Sequence, residues 1–303
     1  MKLSIVFPVM NQFPIASACI DIALENLSGK NDVELLILDN GSDVSFQYES
    51  DKVNVIIWRC EKSIGVYPTF WSGLEHCTGD ILAFFHSDLA IYEKNWDLRV
   101  IQTFEQNEDL GLLGFIGSNE IDSAGGRGLG TASNFVGYSL SHSPSVSSEN
   151  ILPGTLSDPF NNRKVWTGSP AEVHGKRLTG FMNAAVVDGC AMIFRRIVLD
   201  MIPQRKDFPP HHFYDRLLSC ETIEKGYTVG VLGIECDHFS GQTVNQEQNY
   251  KNMAEEWARK NIPESRWAGN PYNWAWDETI YREAERQWLH EYRDVKHFIP
   301  RKV

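Results

Sequence analysis

The sequence lacks most of the features that classify a protein at a glance. Its six cysteines, at positions 19, 60, 77, 190, 220 and 236, include no C-x-x-C pair, which argues against a zinc ribbon or a disulfide scaffold. Scattered in this way, they read as reduced, mostly buried thiols in a cytoplasmic protein. Positive charge is scarce: 28 Lys and Arg stand against 40 Asp and Glu, for a formal charge of -12. A chain this acidic is disfavoured as a broad nucleic-acid binder, whose footprint is basic. No apolar run approaches the roughly eighteen residues of a membrane-spanning helix. The opening MKLSIVFPVMNQFPIASACI begins like a signal peptide, but Pro8, Asn11, Gln12 and Pro14 interrupt its apolar stretch, so it reads as a first strand. A dinucleotide fingerprint is absent too. Gly126 and Gly128 have no third glycine at the required spacing and no strand before them.

What is present is an alternation of strand and helix signals. With 303 residues, 42% of them hydrophobic, the chain suffices for one large α/β domain with a C-terminal extension. LSIVFPV is a β-rich run, and Ile15, Cys19, Ile20, Ala23, Leu24 and Leu27 then recur at helical spacing, with Pro14 suited to a first helical turn. VELLIL and VNVII are short continuous apolar runs of the kind expected of strands covered on both faces. A helix is predicted between Val66 and Cys77, then the strand DILAFF, then a helix over about 93–104. This pattern implies a mostly parallel sheet with helices on both faces, which binds ligands at the carboxyl ends of its strands.

Over 118–178 Gly, Ser, Asn and Pro dominate, and the stretch reads as a functional loop or an insertion. Regularity returns in AAVVDGCAMIFRR, read as strand, Asp188-Gly189 turn and second strand, followed by a short helix in IVLDMI. FYDRLLSCETIEKGY has helical spacing and closes on Gly226, a helix C-terminal signal. TVGVLGIECDHFSGQT reads as a strand running into a polar loop. Five of the nine tryptophans (257, 267, 274, 276 and 288) lie in the tail among charged residues. There amphipathic helices are expected to pack indole rings onto the main domain or a partner.

Two carboxylates stand where a parallel sheet presents its ligands: Asp39 at the end of VELLIL, and Asp88 at the end of ILAFF within His86-Ser87-Asp88. Singly, each has a plain alternative, since Asp39 suits a turn and Asp88 suits a helix cap. Together with their neighbours they carry more. In order, SIVFPVMNQ, LLILDNGSD, IGVYPTFWSGLEHCTGDILAFFHSD, VDGCAMIFRR and FYDRLLSCETIEKGYTVGVLGIECDHFSG resemble the family-two nucleotide-sugar glycosyltransferases with a GT-A fold. The resemblance covers 1–245.

That resemblance implies a GT-A, Rossmann-like sheet divided into a nucleotide-binding half (1–117), a loop or insertion (118–178) and an acceptor half (179–245), with 246–303 as a Trp-rich helical extension. It implies that Asp39 accepts hydrogen bonds from uracil or ribose while Pro8, Val9 and Asn11 line the base, and that Gly65, His86 and Ser87 also lie against the nucleotide. Asp88 would hold a divalent cation, Mn²⁺ or Mg²⁺, with His238 as second ligand. The family's first metal-motif aspartate is His86 here, and an imidazole suits Mn²⁺ better than Mg²⁺. Asp215 matches the position of the general base, with Leu217 where a second acid is often found. Asp188 is the second candidate base or an acceptor contact, and its plain alternative is an Asp-Gly turn. His211 and His212 read as exposed loop histidines.

The chemistry fits these residue types. A sugar nucleotide departs as a diphosphate whose developing charge needs a cation, and an attacking hydroxyl needs a carboxylate to take its proton. The expectation is an inverting transfer from a nucleotide-sugar, read as a UDP-sugar, to a hydroxyl on a saccharide, glycolipid, protein or modified nucleobase; the acidic charge disfavours the last. Two alternatives stay open. A nucleotidyltransferase would want a Gly-rich, basic phosphate loop after the first strand, and PVMNQFP supplies neither. A sugar- or nucleotide-binding protein with weak or lost turnover would account for His86 and Leu217.

Overall fold

The first strands sort their side chains by period two onto the two faces of one sheet. In the computed structural model, β1 (Leu3–Val9) sends Leu3, Ile5, Phe7 and Val9 to one core layer and Val6 to the other. In β2 (Val33–Asn40), Leu35 and Ile37 join the first layer, while Leu36 and Leu38 join the second. The structure describes residues 1–121, 125–127, 130–139, 172–173, 175–240, 248–269 and 275–292.

Along the chain, β1 is followed by α1 (Phe13–Glu25), β2, β3 (Asn54–Cys60), α2 (Thr69–His76), β4 (Ile81–Phe85), β5 (Leu89–Ile91) and α3 (Trp96–Gln106). Next come β6 (Leu110–Gly114), β7 (Ile116–Ser118), β8 (Thr131–Ser133), β9 (Phe135–Ser139), β10 (Glu172–Val173) and β11 (Lys176–Arg177). The second half holds β12 (Phe181–Ala184), β13 (Val186–Val187), β14 (Ala191–Arg195), α4 (Arg196–Met201), α5 (Tyr214–Glu224), β15 (Thr228–Leu232) and β16 (Cys236–Ser240). Two further helices, α6 (Gln248–Asn261) and α7 (Ala275–Tyr292), follow.

Eight strands form the central sheet in the order β12-β15-β6-β14-β4-β1-β2-β3. The β4-β1-β2-β3 half is parallel throughout, and β14 runs antiparallel between β4 and β6. Helices α1 and α3 bury Ile20, Ala23, Trp96, Val100 and Phe104 in one layer. Helices α2, α4, α5 and α7 bury Phe70, Leu199, Leu217 and Trp288 in the other. Helices thus cover both faces of a mixed, largely parallel sheet, the GT-A arrangement.

Several expectations are corrected. VNVII is not covered on both faces: β3 is the sheet edge, with Ile57 39% and Trp58 44% exposed. His76 stacks on Trp58 at 4.0 Å between ring centres and shields that ring. The strand, turn and strand read around Asp188 are present, but the two strands part: β13 pairs with β7 while β14 enters the central sheet. The described parts of 118–178 contain strands, in two small four-stranded sheets ordered β10-β9-β16-β5 and β11-β8-β7-β13. These strands draw their order from partners distant in sequence, which local composition does not register. The rest of that stretch lies outside the described residues, as do residues 241–247 and Trp274.

The tail packs on the main sheet and its loops. Trp288 inserts beside Phe213 and Tyr292, and Trp276 joins Met10, Tyr250, Ala254 and Ile280 in a satellite core. Among the described residues no helix is long and apolar enough to cross a membrane.

Candidate active site

The carboxyl edge of the central sheet collects the candidate residues, and pairing registers explain how. Phe85, the last residue of β4, lies opposite Ala191 of β14, so His86 falls beside the 188–190 turn and its N–H donates to the Cys190 carbonyl at 3.0 Å. The chain turns through Ser87 and Asp88, with Leu89 N–H donating to the His86 carbonyl at 3.1 Å. Strand β5 then pairs antiparallel with β16, opposing Leu89 to His238. Three residues separated in sequence therefore meet.

His238 Nε2 lies 3.1 Å from Asp88 Oδ1 and 3.3 Å from His86 Nδ1. His86 Nδ1 is 3.9 Å from Asp88 Oδ1. One ligand atom from each lies within 4.8 Å of the others. Burial pushes the Asp88 carboxyl up, but the His238 ring outweighs it and holds the group ionised. Burial pulls His238 down, but Asp88 outweighs that and raises it. Two imidazole nitrogens and one carboxylate oxygen, converging in a mostly buried place, fit a divalent cation and leave coordination positions for phosphate oxygens. His86, placed with the nucleotide on sequence grounds, lies by geometry in this cluster, with Ser87 in the turn between His86 and Asp88.

On the other side of His86 stands Tyr214, the first residue of α5, with its hydroxyl 2.8 Å from His86 Nε2. Burial pushes this phenol well above its ordinary pKa, so it stays protonated. The next residue, Asp215, is buried in the first turn of the helix, where the macrodipole favours a carboxylate. Arg216 Nη1 lies 3.2 Å from Asp215 Oδ1 and Arg127 Nη1 lies 4.0 Å from its Oδ2. Arg127 also pairs with Asp188. Burial pushes Asp188 up, but Arg127 and then His238 outweigh it and hold the carboxyl well below the usual carboxylate range. Asp188 also accepts the Cys190 N–H at 2.9 Å, so the Asp-Gly turn and the site coincide.

Asp39 makes the turn that its sequence context also allowed. It is fully buried, and its carboxylate accepts the N–H groups of Ser42 and Phe46, each at 3.0 Å, and Arg59 Nη1 at 3.2 Å. Its oxygens are engaged within the protein, and what the edge presents is the 41–46 turn that Asp39 holds. Pro8 and Val9 end β1 beside Leu38 and Asp39. Asn11 adopts a positive φ of 51°, donates its N–H to Ser42 Oγ at 2.8 Å and accepts the Asp43 N–H at 3.0 Å. Gly65 has φ +81°, and a Cβ there would lie 2.4 Å from Pro210 Cβ. Only glycine lets this loop close against the 208–210 segment.

His211 and His212 are not free loop residues. His211 packs its ring 5.0 Å from Tyr250, and burial, reinforced by His212, pushes it well below its ordinary pKa. His212 Nε2 contacts Asp277 Oδ1 at 2.5 Å, tying the 211–213 loop to α7. Sequence reasoning also missed Asn40, which accepts the Ile64 N–H at 2.8 Å and donates to the Gly65 carbonyl at 3.0 Å. Asn249 of α6, likewise missed, donates to the Gly41 carbonyl and to Asp43 Oδ1, each at 2.9 Å. Asn40 stands next to Asp39 in LDNG and was legible as a turn residue. Arg127, Tyr214 and Asn249 had no local signal.

An α/β sheet flanked by helices, with a metal-competent cluster and ion-paired carboxylates at its carboxyl edge, is the arrangement of a GT-A fold. The family model described as "Glycosyl transferase family 2" matches residues 4–200, and the chain belongs to that family. No curated protein matches it. Among solved structures it is similar to the mannosyltransferase PcManGT from Pyrobaculum calidifontis in complex with GDP-Man and Mn²⁺, at 11% identity and a TM-score of 0.48, covering 98% of this chain and 72% of that one.

Proposed function

We propose that the chain transfers a sugar from a nucleotide-sugar, read as a UDP-sugar, to an acceptor hydroxyl with inversion, and that Asp215 is the general base. The observation that carries this reading is the shared edge at which the His86, Asp88 and His238 cluster faces Asp188, Arg127 and Asp215. A transferase needs a site for the diphosphate and a carboxylate for the acceptor proton, and the two lie side by side.

In the proposed reaction the acceptor oxygen attacks the anomeric carbon as the bond from that carbon to the phosphate oxygen breaks. The electron pair leaves with the nucleoside diphosphate, and the acceptor proton passes to Asp215. A divalent cation held by His86, Asp88 and His238 would supply charge to the departing diphosphate. The base and ribose are proposed to lie along Pro8, Val9, Asn11 and Gly65, over the turn that Asp39 holds. Asp188 orients Arg127, and through it the acceptor side. Residues 1–245 are read as the catalytic part and 246–303 as its extension. The six free cysteines support a cytoplasmic setting.

The test is incubation with UDP- and GDP-sugars and Mn²⁺, without acceptor, following release of the nucleoside diphosphate. Slow, metal-dependent release from UDP-sugars is expected. Release from GDP-sugars alone would reassign the nucleotide, and neither binding nor release with any nucleotide-sugar would remove the enzyme reading in favour of a binding protein.

A further inference from the structure

His86 poses a problem that a carboxylate in its place would not. A carboxylate offers lone pairs on both oxygens in any rotamer, whereas a neutral imidazole offers one, and only if its proton sits on the other nitrogen. Something must hold the ring and select the tautomer. We propose that Tyr214 is the positioning residue for this edge, its hydroxyl accepting the Nε2–H of His86 so that the Nδ1 lone pair faces the space shared with Asp88 and His238. The inference rests on the metal-binding part of the proposed function.

Three independent features converge on that contact. The hydroxyl lies 2.8 Å from Nε2 while the other ring nitrogen faces His238, so the ring is addressed at both ends. Tyr214 is only 6% exposed and packs on Phe70 at 5.8 Å, which fixes its ring. Gly189 makes the approach possible, since a Cβ there would lie 2.3 Å from the Tyr214 oxygen. The same turn receives the His86 backbone N–H on Cys190. A single loop thus seats His86 and leaves room for its partner. Phe213, at φ 53°, directs the chain into α5 so that Tyr214 enters its first turn.

The experiment is Mn²⁺ titration of the full chain by calorimetry, with thermal midpoints as a folding control, for wild type, Tyr214→Phe, His86→Asp and the double variant. Tyr214→Phe is expected to weaken Mn²⁺ binding by about 10- to 100-fold, the usual effect of losing a hydrogen bond to a ligating histidine. In the His86→Asp background the same change is expected to alter affinity by less than about twofold, because the coupling is gone. Gly189→Ala, which crowds the hydroxyl without removing it, should reproduce the loss. Unchanged affinity in Tyr214→Phe, or equal losses in both backgrounds, overturns the inference while leaving the metal reading intact. Absence of Mn²⁺ binding by the wild type overturns both.

Discussion

Arg127 and Asp215 face each other at the carboxyl edge of the central sheet, with Nη1 of the arginine 4.0 Å from Oδ2 of the aspartate. The same guanidinium pairs more closely with Asp188. In the proposed reaction this asymmetry gives the two carboxylates different tasks, with Asp215 as the base and Asp188 as the partner of Arg127. Asp188 is held by Arg127 and by the Cys190 N–H, whereas Asp215 pairs with Arg216 at 3.2 Å and meets Arg127 only at 4.0 Å.

Asp215→Asn is therefore expected to lower kcat by about 10²- to 10⁴-fold, the range for loss of a general base, with donor affinity unchanged. Asp188→Asn should cost less in kcat and more in acceptor KM, since it loosens Arg127. Steady-state kinetics with donor and acceptor varied separately decide this. Equal kcat losses would show that the two carboxylates act as one unit.

The donor set predicts a metal preference. Two imidazoles and one carboxylate favour Mn²⁺ over Mg²⁺, which prefers oxygen ligands. Nucleotide-sugar turnover after chelation should be restored by Mn²⁺ at lower concentration than by Mg²⁺, and Asp88→Asn should raise the Mn²⁺ requirement. A chain that works equally well with Mg²⁺ would remove the two histidines from the ligand set.

Asp39 is expected to act through architecture. Asp39→Ala leaves the N–H groups of Ser42 and Phe46 without their acceptor and Arg59 without its partner. Each buried donor left unpaired costs about 1–3 kcal/mol. Urea unfolding should show a loss of about 2–4 kcal/mol, and nucleotide affinity should fall with it as the 41–46 turn loosens. A fully stable variant that loses only nucleotide binding would restore the direct-contact role.

Glu34 predicts a pH dependence of stability. It is buried on β2 and accepts from Lys2, Ser4 and Thr78. Burial pushes the carboxyl up, but these partners outweigh it and hold it at about 2, against 4.5 when free. The folded state thus favours the ionised form. Its contribution is fully present above pH 4.5 and is lost as pH falls through about 2. Glu34→Gln should cost about 1–2 kcal/mol at pH 7, with Lys2 exposed enough to be screened, and the gap to wild type should close on acidification. Urea midpoints measured between pH 2 and 7 check this.

Much of the framework was legible in the sequence, because it is written in local patterns. Short, β-rich apolar runs marked β1, β2 and β4, and helical spacing marked α1 and α5. The ordered motifs singled out Asp88, His238, Asp188 and Asp215, which the fold gathers at one edge of the sheet. The tail's tryptophans declared a packed helical extension, which Trp276 and Trp288 form. What the tertiary structure alone decided were relationships between distant segments. Nothing near VNVII says that β3 lies at the edge, and nothing near Asp188 says that its two flanking strands part into different sheets. Asp39 looked available because the residues that occupy it, Ser42, Phe46 and Arg59, reach it only once the turn folds and β3 pairs alongside. His86 looked like a departure at a metal motif. Tyr214, 128 residues away in sequence, and the opening left by Gly189 give that departure a physical setting, because hydrogen bonds and clearances depend on distance in space, which local sequence does not encode.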